Sequence, residues 1–160
     1  MKITDITTTP LSTGKSLLRV QTDAGVEGWA EAPGGSRNVP GRSVAVFNAY
    51  LENIIKPVLV GEDPLQIDRH WETLALGKGD RLYNLPAQIV GTIDVALWDL
   101  FGKETGLPVH TLMGGAARTT IPLYWSTGSG WRMQPEEMLD LVKQGWDMGF
   151  RAFKIRMDWM

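Results

Sequence analysis

The chain has 160 residues, with 16 Lys and Arg against 18 Asp and Glu, two His, no Cys and a formal net charge of −2. At 43% hydrophobic and 21% charged residues, it has the composition of a globular chain that buries a core without disulfides or a thiolate metal site. The near-neutral charge gives no electrostatic reason to expect nucleic acid or an anionic membrane as a partner, and we expect neither. We also predict no membrane span and no secretory signal, and therefore a cytoplasmic protein.

The first third of the chain has the composition of strands and turns. Ile3–Pro10 and Leu17–Thr22 are rich in Thr and branched apolar residues, which favours strands. Asp23–Gly25 is a turn signal, so Val26–Glu31 is predicted to be the returning strand of a hairpin. The Pro- and Gly-rich stretch Pro33–Gly41 that follows predicts a loop.

The middle of the chain has helical periodicity. Apolar residues from Val44 to Ile55 recur at helical spacing, and Pro57 is expected to end that helix. Pro64 is expected to begin a second helix, with Asp63 as its N-cap. A third helix is predicted from Pro86 to about Glu104. It is apolar nearly all round, so we expect it to be buried on all sides.

The last third predicts a strand–helix–strand unit. The predicted elements are a strand over Thr120–Trp125, a helix from Pro135 to Gly149 and a strand over Phe150–Met157. A helical crossover makes the two strands parallel. The helix is predicted to bury one apolar face made of Leu139, Val142 and Trp146. We place a domain boundary near Gly114–Arg118.

Lys154 and Arg156 are the most unusual residues of the last predicted strand. Side chains alternate along a strand, so the two cations share one face and Phe153, Ile155 and Met157 share the other. The carboxyl ends of parallel strands are where α/β proteins bind ligands. The pair is therefore either a ligand site or an ordinary solvated strand face.

Several other polar residues have simpler structural interpretations. In the third predicted helix, Asp99 is spaced to pair with Lys103, and Asp94 needs a partner if it is ionised. His70 is on a predicted helix and His110 in a turn after one. Neither has a partner at metal-ligand spacing, so both are interpreted as structural.

The loop cations allow two interpretations. Arg37 lies in the first predicted loop and Arg42 directly after it, and Lys78 and Arg81 lie in an irregular stretch at 77–84. They either contact an anionic ligand or are ordinary solvated loop charges.

The motifs along the chain resemble one enzyme family. The matching segments are Gly28–Glu31, Gly61–Pro64, Ile93–Leu100, Gly102–Lys103, Gly106–Val109, Leu112–Gly115 and the final Lys154-x-Arg156. Together they resemble the N-terminal part of the mandelate racemase/muconate lactonizing enzymes of the enolase superfamily.

The resemblance implies an α+β capping domain followed by a modified TIM barrel, (β/α)7β. Residues 1–118 match the capping domain, and residues 119–160 match the first strand, first helix and second strand of a barrel that is incomplete in this chain. Two loops of the capping domain, at about 32–42 and 77–85, correspond to those that select the substrate. From them and from the first barrel strand, the expected substrate-binding residues are Ser36, Arg37, Arg81, Tyr83 and Ser126.

The resemblance also implies Mg²⁺-dependent removal of the proton α to a carboxylate, with a small carboxylic acid as substrate. The use of Lys or His bases with Mg²⁺ in this superfamily is a known pattern. Lys154 matches the first Lys of the family's Lys-x-Lys strand, which lies against the substrate carboxylate. The family's acidic metal ligands lie on the third to fifth barrel strands, so no metal ligand is assigned here and the ligands are expected beyond residue 160.

Arg156 departs from the family pattern. It occupies the position of the second Lys, which often acts as a base, whereas arginine stays protonated and is a poor base. We therefore expect Lys154 and Arg156 to be catalytic as electrostatic groups, with a single base, a His on a later strand. One-base chemistry suits elimination of water, so the expected reaction is dehydration of a sugar acid.

Two other functions stay open. A racemase, epimerase or cycloisomerase of the same family would need the same carboxylate site. A catalytically inactive, truncated α+β interaction module would need neither a metal nor a substrate. By resemblance, we expect a homo-oligomer.

Overall fold

The computed structural model describes residues 1–12, 15–32, 44–77, 85–127 and 134–155. The chain divides into two compact units, residues 1–115 and 116–160. Among the described helices, none combines the length and the apolar character needed to cross a bilayer.

The first unit begins with a three-stranded antiparallel sheet. Its strands β1 (Ile3–Pro10), β2 (Ser16–Thr22) and β3 (Glu27–Ala32) lie in sequence order. The predicted hairpin is confirmed, and Gly25 turns the chain with φ at 78°. One face of the sheet is buried and comprises Ile3, Ile6, Leu18, Val20, Ala30 and Ala32; an irregularity between Ile3 and Asp5 brings both isoleucines of β1 to this face.

A continuous helical segment follows residue 43 instead of the shorter helix expected. It comprises α1 (Val44–Tyr50), a π-helical turn (Leu51–Ile55) and α2 (Lys56–Leu59). The prediction that Pro57 ends this helix is therefore wrong. In the π-helical turn the Lys56 N–H donates to the Leu51 carbonyl, five residues back, and a widened turn accommodates a proline ring that a regular α-helix would exclude.

Helix α3 (Ile67–Leu76) begins later than predicted. The Asp63 carboxylate accepts a hydrogen bond from the Leu65 N–H at 3.0 Å. This side chain therefore stabilises a turn around Pro64 instead of capping a helix there. The helix begins only after that turn.

Helix α4 (Ala87–Thr105) is the central helix of the first unit, and α5 (Val109–Leu112) follows it. Ile93, Ala96, Leu97 and Leu100 are almost completely buried. A Cβ on Gly28 would overlap the Ala96 carbonyl oxygen, so this glycine lets β3 approach α4 closely. The opposite face is open: Val95 is 56% exposed, so the prediction of burial on all sides is wrong.

The second unit contains the predicted strand–helix–strand arrangement. Strands β4 (Trp125–Thr127) and β5 (Phe153–Ile155) pair in parallel, and α6 (Pro135–Asp147) connects them. The parallel pairing is confirmed, but β4 begins at Trp125, where the predicted strand was expected to end. Residues 120–124 have no regular structure.

The apolar face predicted for α6 is only partly correct. Leu139 and Trp146 are 58% and 53% exposed, whereas Gly145 is buried and Val142 is half-buried. The half-buried apolar residues Met138 and Leu141 share that inner side. The buried face is therefore rotated from the predicted one, because a small residue contacts the strands.

Candidate active site

Ser126 and Lys154 lie side by side on the two parallel strands. They are direct partners in the β4–β5 ladder, between the pairs Trp125–Phe153 and Thr127–Ile155. Partners in a ladder point to the same face of a sheet. A hydroxyl and an ammonium group therefore project from neighbouring strands on one face.

The packing of α6 shows which face this is. A Cβ on Gly145 would lie 2.7 Å from the Trp125 ring and 2.9 Å from the Phe153 ring, so the helix contacts these two side chains directly. Because side chains alternate along a strand, Ser126 and Lys154 point away from the helix, and both are exposed. In a closed (β/α) barrel, that face lines the interior.

Local sequence explains why α6 forms where it does. Pro135 begins the helix at the position that tolerates a missing N–H. The Glu137 carboxylate accepts a hydrogen bond from the Gln134 N–H at 3.0 Å, as in a capping box. At the other end, Gly149 adopts φ of 97°, and the Phe150 N–H donates to the Gly145 carbonyl. These signals fix the crossover and thereby the alignment of Ser126 with Lys154.

Sequence reasoning assigned no role to Gly145, yet this residue sets the distance between α6 and the strands. The signal was a glycine inside an amphipathic helix, a position where glycine costs about 1 kcal/mol relative to alanine. Such a cost indicates that a close approach is needed.

The Ser126 and Lys154 side chains are without a polar partner among the residues that the structure describes. Neither makes a side-chain hydrogen bond or an ion pair within the part of the chain that the structure describes. An exposed ammonium beside a hydroxyl can bind a carboxylate, with one charge-assisted and one neutral hydrogen bond. This is the chemistry that the arrangement supports.

The remaining predicted site residues lie outside the described residues. These are Ser36, Arg37, Arg81, Tyr83 and Arg156, together with Arg42 and Lys78. Their proposed contacts with substrate stay predictions from the sequence.

The predicted Asp99–Lys103 ion pair is present and has a structural role. The two side chains meet at 2.6 Å. The Asp99 carboxylate also accepts a hydrogen bond from the Trp29 N–H at 2.8 Å, and the Lys103 ammonium donates to the Glu27 carbonyl at 3.0 Å. The pair therefore provides hydrogen-bond partners for backbone groups at the open edge of β3. This strand leads into the first predicted loop.

Asp94 differs from the expectation that it has a partner. Within the described residues, its carboxyl makes no hydrogen bond or ion pair. Partial burial, and then the neighbouring Asp68 carboxylate, raise the pKa of Asp94 above its ordinary value. Asp94 is only half-buried, so its carboxyl is still accessible to solvent and does not need a protein partner.

The two histidines do not contribute to the pair on β4 and β5. His70 is buried in α3, and its Nε2 lies 2.7 Å from the Asp63 carbonyl oxygen, which fits the structural interpretation. His110 is exposed in the short helix α5 instead of in a turn.

The described residues do not provide a magnesium site. No group of three or more His, Asp or Glu side chains among them could hold a metal ion. The acids of the second unit that are described lie on α6, such as Glu137 and Asp140, and not at strand ends. A metal is therefore not assigned to any described residue.

Comparison with known proteins assigns the first unit to an enzyme family. Residues 4–114 match the family model of the mandelate racemase/muconate lactonizing enzyme N-terminal domain. A D-galactonate dehydratase family member from Streptomyces bingchenggensis is 36% identical over 137 residues, which cover 86% of this chain and 31% of that protein. A D-galactonate dehydratase from Pectobacterium atrosepticum is 35% identical over 97% of this chain and 38% of that protein. The chain thus spans less than two fifths of these relatives.

A solved structure extends the similarity beyond the first unit. It is an enolase from Pantoea ananatis, with bound D-gluconate and Mg, and matches with a TM-score of 0.76 at 25% sequence identity. The match covers 98% of this chain and 36% of that chain. The second unit is thus included in the similarity.

Proposed function

The chain belongs to the mandelate racemase/muconate lactonizing enzyme family of the enolase superfamily, and from this premise we propose that the whole protein dehydrates a sugar acid. Its fold is the family's α+β capping domain followed by part of a barrel. Dehydratase names among relatives that are 35–36% identical support the reaction. D-Galactonate and D-gluconate are therefore the first substrates to test.

The observation that carries the proposal is the Ser126–Lys154 pair. A proton α to a carboxylate is weakly acidic, and its removal places additional negative charge on the carboxylate oxygens. We propose that the Lys154 ammonium stabilises that charge and that the Ser126 hydroxyl orients the same carboxylate; their pairing on neighbouring strands supports this. Both groups act more strongly on the transition state than on the bound acid, which is the condition for catalysis.

The proposed reaction balances as an elimination of water. A base removes the proton from the carbon next to the carboxylate, and the hydroxyl on the following carbon leaves as water after it receives a proton. The resulting enol takes up a proton at the carbon that lost the hydroxyl, releases the proton of its own hydroxyl group, and so becomes a 2-keto-3-deoxy acid. Neither an oxidant nor a reductant is needed.

Arg156 favours dehydration over racemisation. A racemase that uses two bases needs a proton acceptor on each face of the substrate, and a guanidinium does not accept protons near neutral pH. We propose that Arg156 acts as an electrostatic clamp and that a single base, a histidine outside the described residues, removes the proton. In the capping domain, Ser36, Arg37, Arg81 and Tyr83 are proposed to contact the sugar hydroxyls.

We propose Mg²⁺ as the cofactor, because a similar enolase is solved with Mg and D-gluconate. When bound, it would supply positive charge to the substrate carboxylate. Its ligands are proposed to lie beyond residue 160. We also propose that the protein is a homo-oligomer located in the cytoplasm.

The reaction in D₂O separates dehydration from racemisation. The full-length protein with Mg²⁺ is incubated with each of the two epimers at the α carbon, and NMR follows product and deuterium. We expect a 2-keto-3-deoxy acid from one epimer only. Deuterium at the α carbon of both epimers, with interconversion between them, would contradict the dehydratase proposal and support a racemase. A chain that binds neither acid nor Mg²⁺ would support the interaction module.

A further inference from the structure

The indole ring of Trp125 is enclosed by the crossover helix and the neighbouring strand. A Cβ on Gly145 would lie 2.7 Å from Cγ and 2.8 Å from Cδ1 of the indole, so the backbone of α6 lies directly against this side of the ring. The Phe150 ring packs against it at a tilt, with centroids 5.1 Å apart. In the β4–β5 ladder, Trp125 is paired with Phe153. The ring is thus held between α6, the turn after α6 and β5.

The indole N–H of Trp125 does not add a hydrogen bond to this packing. Its Nε1 is buried, and it has no acceptor among the residues that the structure describes. A buried donor without an acceptor lowers the stability of the folded state. The favourable contribution of this side chain therefore comes from the area and the shape of its ring.

Trp125 lies next to Ser126 on β4, and the two side chains leave opposite faces of the strand. The Trp125 backbone N–H donates to the Ala152 carbonyl at 2.8 Å, directly before the strand that carries Lys154. The ring is therefore fixed against α6 while the backbone beside it is fixed against β5. Ser126 follows at the next position, so its separation from Lys154 depends on where the ring is held.

We propose that Trp125 is a positioning residue, whose ring sets the separation and the orientation of Ser126 and Lys154 through its contacts with Gly145 and Phe150. This inference rests on the proposed function, which makes the Ser126–Lys154 pair the carboxylate-binding site. Trp125 does not contact the substrate, because it points to the helix side of the sheet. It acts through its neighbours, since a misplacement of roughly 1 Å can lower a rate by about 100-fold.

The size of the side chain at position 125 provides the kinetic test. We measure kcat/KM with D-galactonate and D-gluconate for the full-length wild type, Trp125→Phe and Trp125→Leu. Phenylalanine keeps a flat ring against Gly145 and lacks only the unpaired N–H and part of the ring area, so Trp125→Phe should retain most of the activity. Trp125→Leu removes the ring and should lower kcat/KM by about 10- to 100-fold. Trp71, which is 47% exposed on α3, provides the matched controls Trp71→Phe and Trp71→Leu, and both should leave kcat/KM unchanged.

A double-mutant cycle with Lys154→Ala separates positioning from a loss of folded protein. If Trp125 acts through Lys154, Trp125→Leu should lower kcat/KM much less in the Lys154→Ala background than in wild type, because residues that act as a unit have non-additive effects. Equal factors in the two backgrounds would show a general loss of folded enzyme and would overturn the proposal. A full loss of activity in Trp125→Phe would also overturn it, because the N–H and not the ring would then be required.

Thiol cross-linking distinguishes the failure of this proposal from the failure of the proposed function. The 160 residues contain no Cys, so Ser126→Cys and Lys154→Cys introduce two thiols at one ladder pair, in a full-length background free of other cysteines. Dibromobimane becomes fluorescent when it links two adjacent thiols. It should label this double variant, and adding Trp125→Leu should reduce the labelling.

The cross-link needs no substrate. If neither acid is dehydrated, the proposed function fails and the cross-link alone decides the role of Trp125. Reduced labelling with Trp125→Leu would then support the positioning role. Equal labelling with and without Trp125→Leu would overturn it, as would an unchanged kcat/KM in the Trp125→Leu enzyme.

Discussion

Ser126 on β4 lies directly beside Lys154 on β5, and both point away from α6. The two residues are 28 positions apart in the chain, and a capped helix with a glycine facing the strands brings them together. We propose that this pair binds the substrate carboxylate, and the first prediction follows from that proposal.

Ser126→Ala should weaken substrate binding while the enzyme remains folded. A neutral hydrogen bond contributes about 0.5–1.5 kcal/mol, so kcat/KM should fall about 2- to 12-fold. Ser16 is a poor control because it is buried. The better control is the exposed Thr4→Ala in β1. Steady-state kinetics with the sugar acid measures this fall in kcat/KM. An unchanged kcat/KM would show that Ser126 does not contact the substrate.

Gly145→Ala should destabilise the second unit. Its Cβ would lie 2.7 Å from the Trp125 ring, so α6 must move away from the strands. Overpacking of this kind costs about 1–3 kcal/mol. Gly91 in α4 is the matched control, because a Cβ there meets nothing within 4 Å, and Gly91→Ala should stabilise by about 0.5–1 kcal/mol. Denaturant unfolding of both variants compares them; equal effects would contradict the close packing.

Asp99→Ala should loosen the edge of β3. The change removes the acceptor of the Trp29 N–H and leaves Lys103 without its counter-ion. Hydrogen bonds to charged groups contribute about 1.5–3 kcal/mol, and partial exposure lowers this to about 1 kcal/mol. Hydrogen exchange at Trp29 should accelerate more than exchange at β2. Unchanged protection at Trp29 would show that the carboxylate does not stabilise this edge.

The Asp5 carboxylate should make the free energy of unfolding depend on pH in the acidic range. Burial opposes its ionisation, but hydrogen bonds from Lys56 and the Ile6 N–H, and the charges of Lys56 and Arg19, outweigh it and hold the pKa of Asp5 below 3.8. Because the folded pKa lies below the unfolded one, its contribution is present above about pH 4 and is lost as pH falls through the folded pKa.

Asp5→Asn tests this dependence. The stability difference between wild type and Asp5→Asn should favour wild type at pH 7 and shrink below pH 4. Glu72→Gln, at an exposed position on α3, is the control and should show a smaller difference. A difference for Asp5→Asn that is constant from pH 7 to pH 2 would contradict the account.

The sequence predicted the elements that local signals specify. The hairpin follows from Gly25, α4 from its apolar periodicity, and the parallel pair from the strand–helix–strand order. The Asp99–Lys103 pair follows from helical spacing. Each of these depends on residues that are neighbours in the chain or on one helix face.

The predictions from the sequence were wrong where contacts between secondary-structure elements determine the structure. Pro57 remains within a helical segment because a π-helical turn precedes it, which periodicity does not reveal. The buried face of α6 is set by Gly145 against Trp125, so Leu139 and Trp146 are exposed although they are the larger apolar residues.

Only part of the candidate site could be predicted from the sequence. Strand alternation placed Lys154 on the face opposite Phe153, but the pairing of Lys154 with Ser126 depends on the register of two strands. Register is fixed by the turns and by the packing of α6, which a pattern of single residues does not contain.

Lys154→Ala most directly tests the central claim that this lysine binds the carboxylate of a sugar acid during dehydration. Formation of the 2-keto-3-deoxy acid is measured for the full-length wild type, Lys154→Ala and the control Lys143→Ala. The account predicts product from wild type and from Lys143→Ala, and a fall in kcat/KM of at least about 10- to 100-fold for Lys154→Ala, because a charge-assisted contact is lost. Equal rates of product formation by wild type and Lys154→Ala would contradict it.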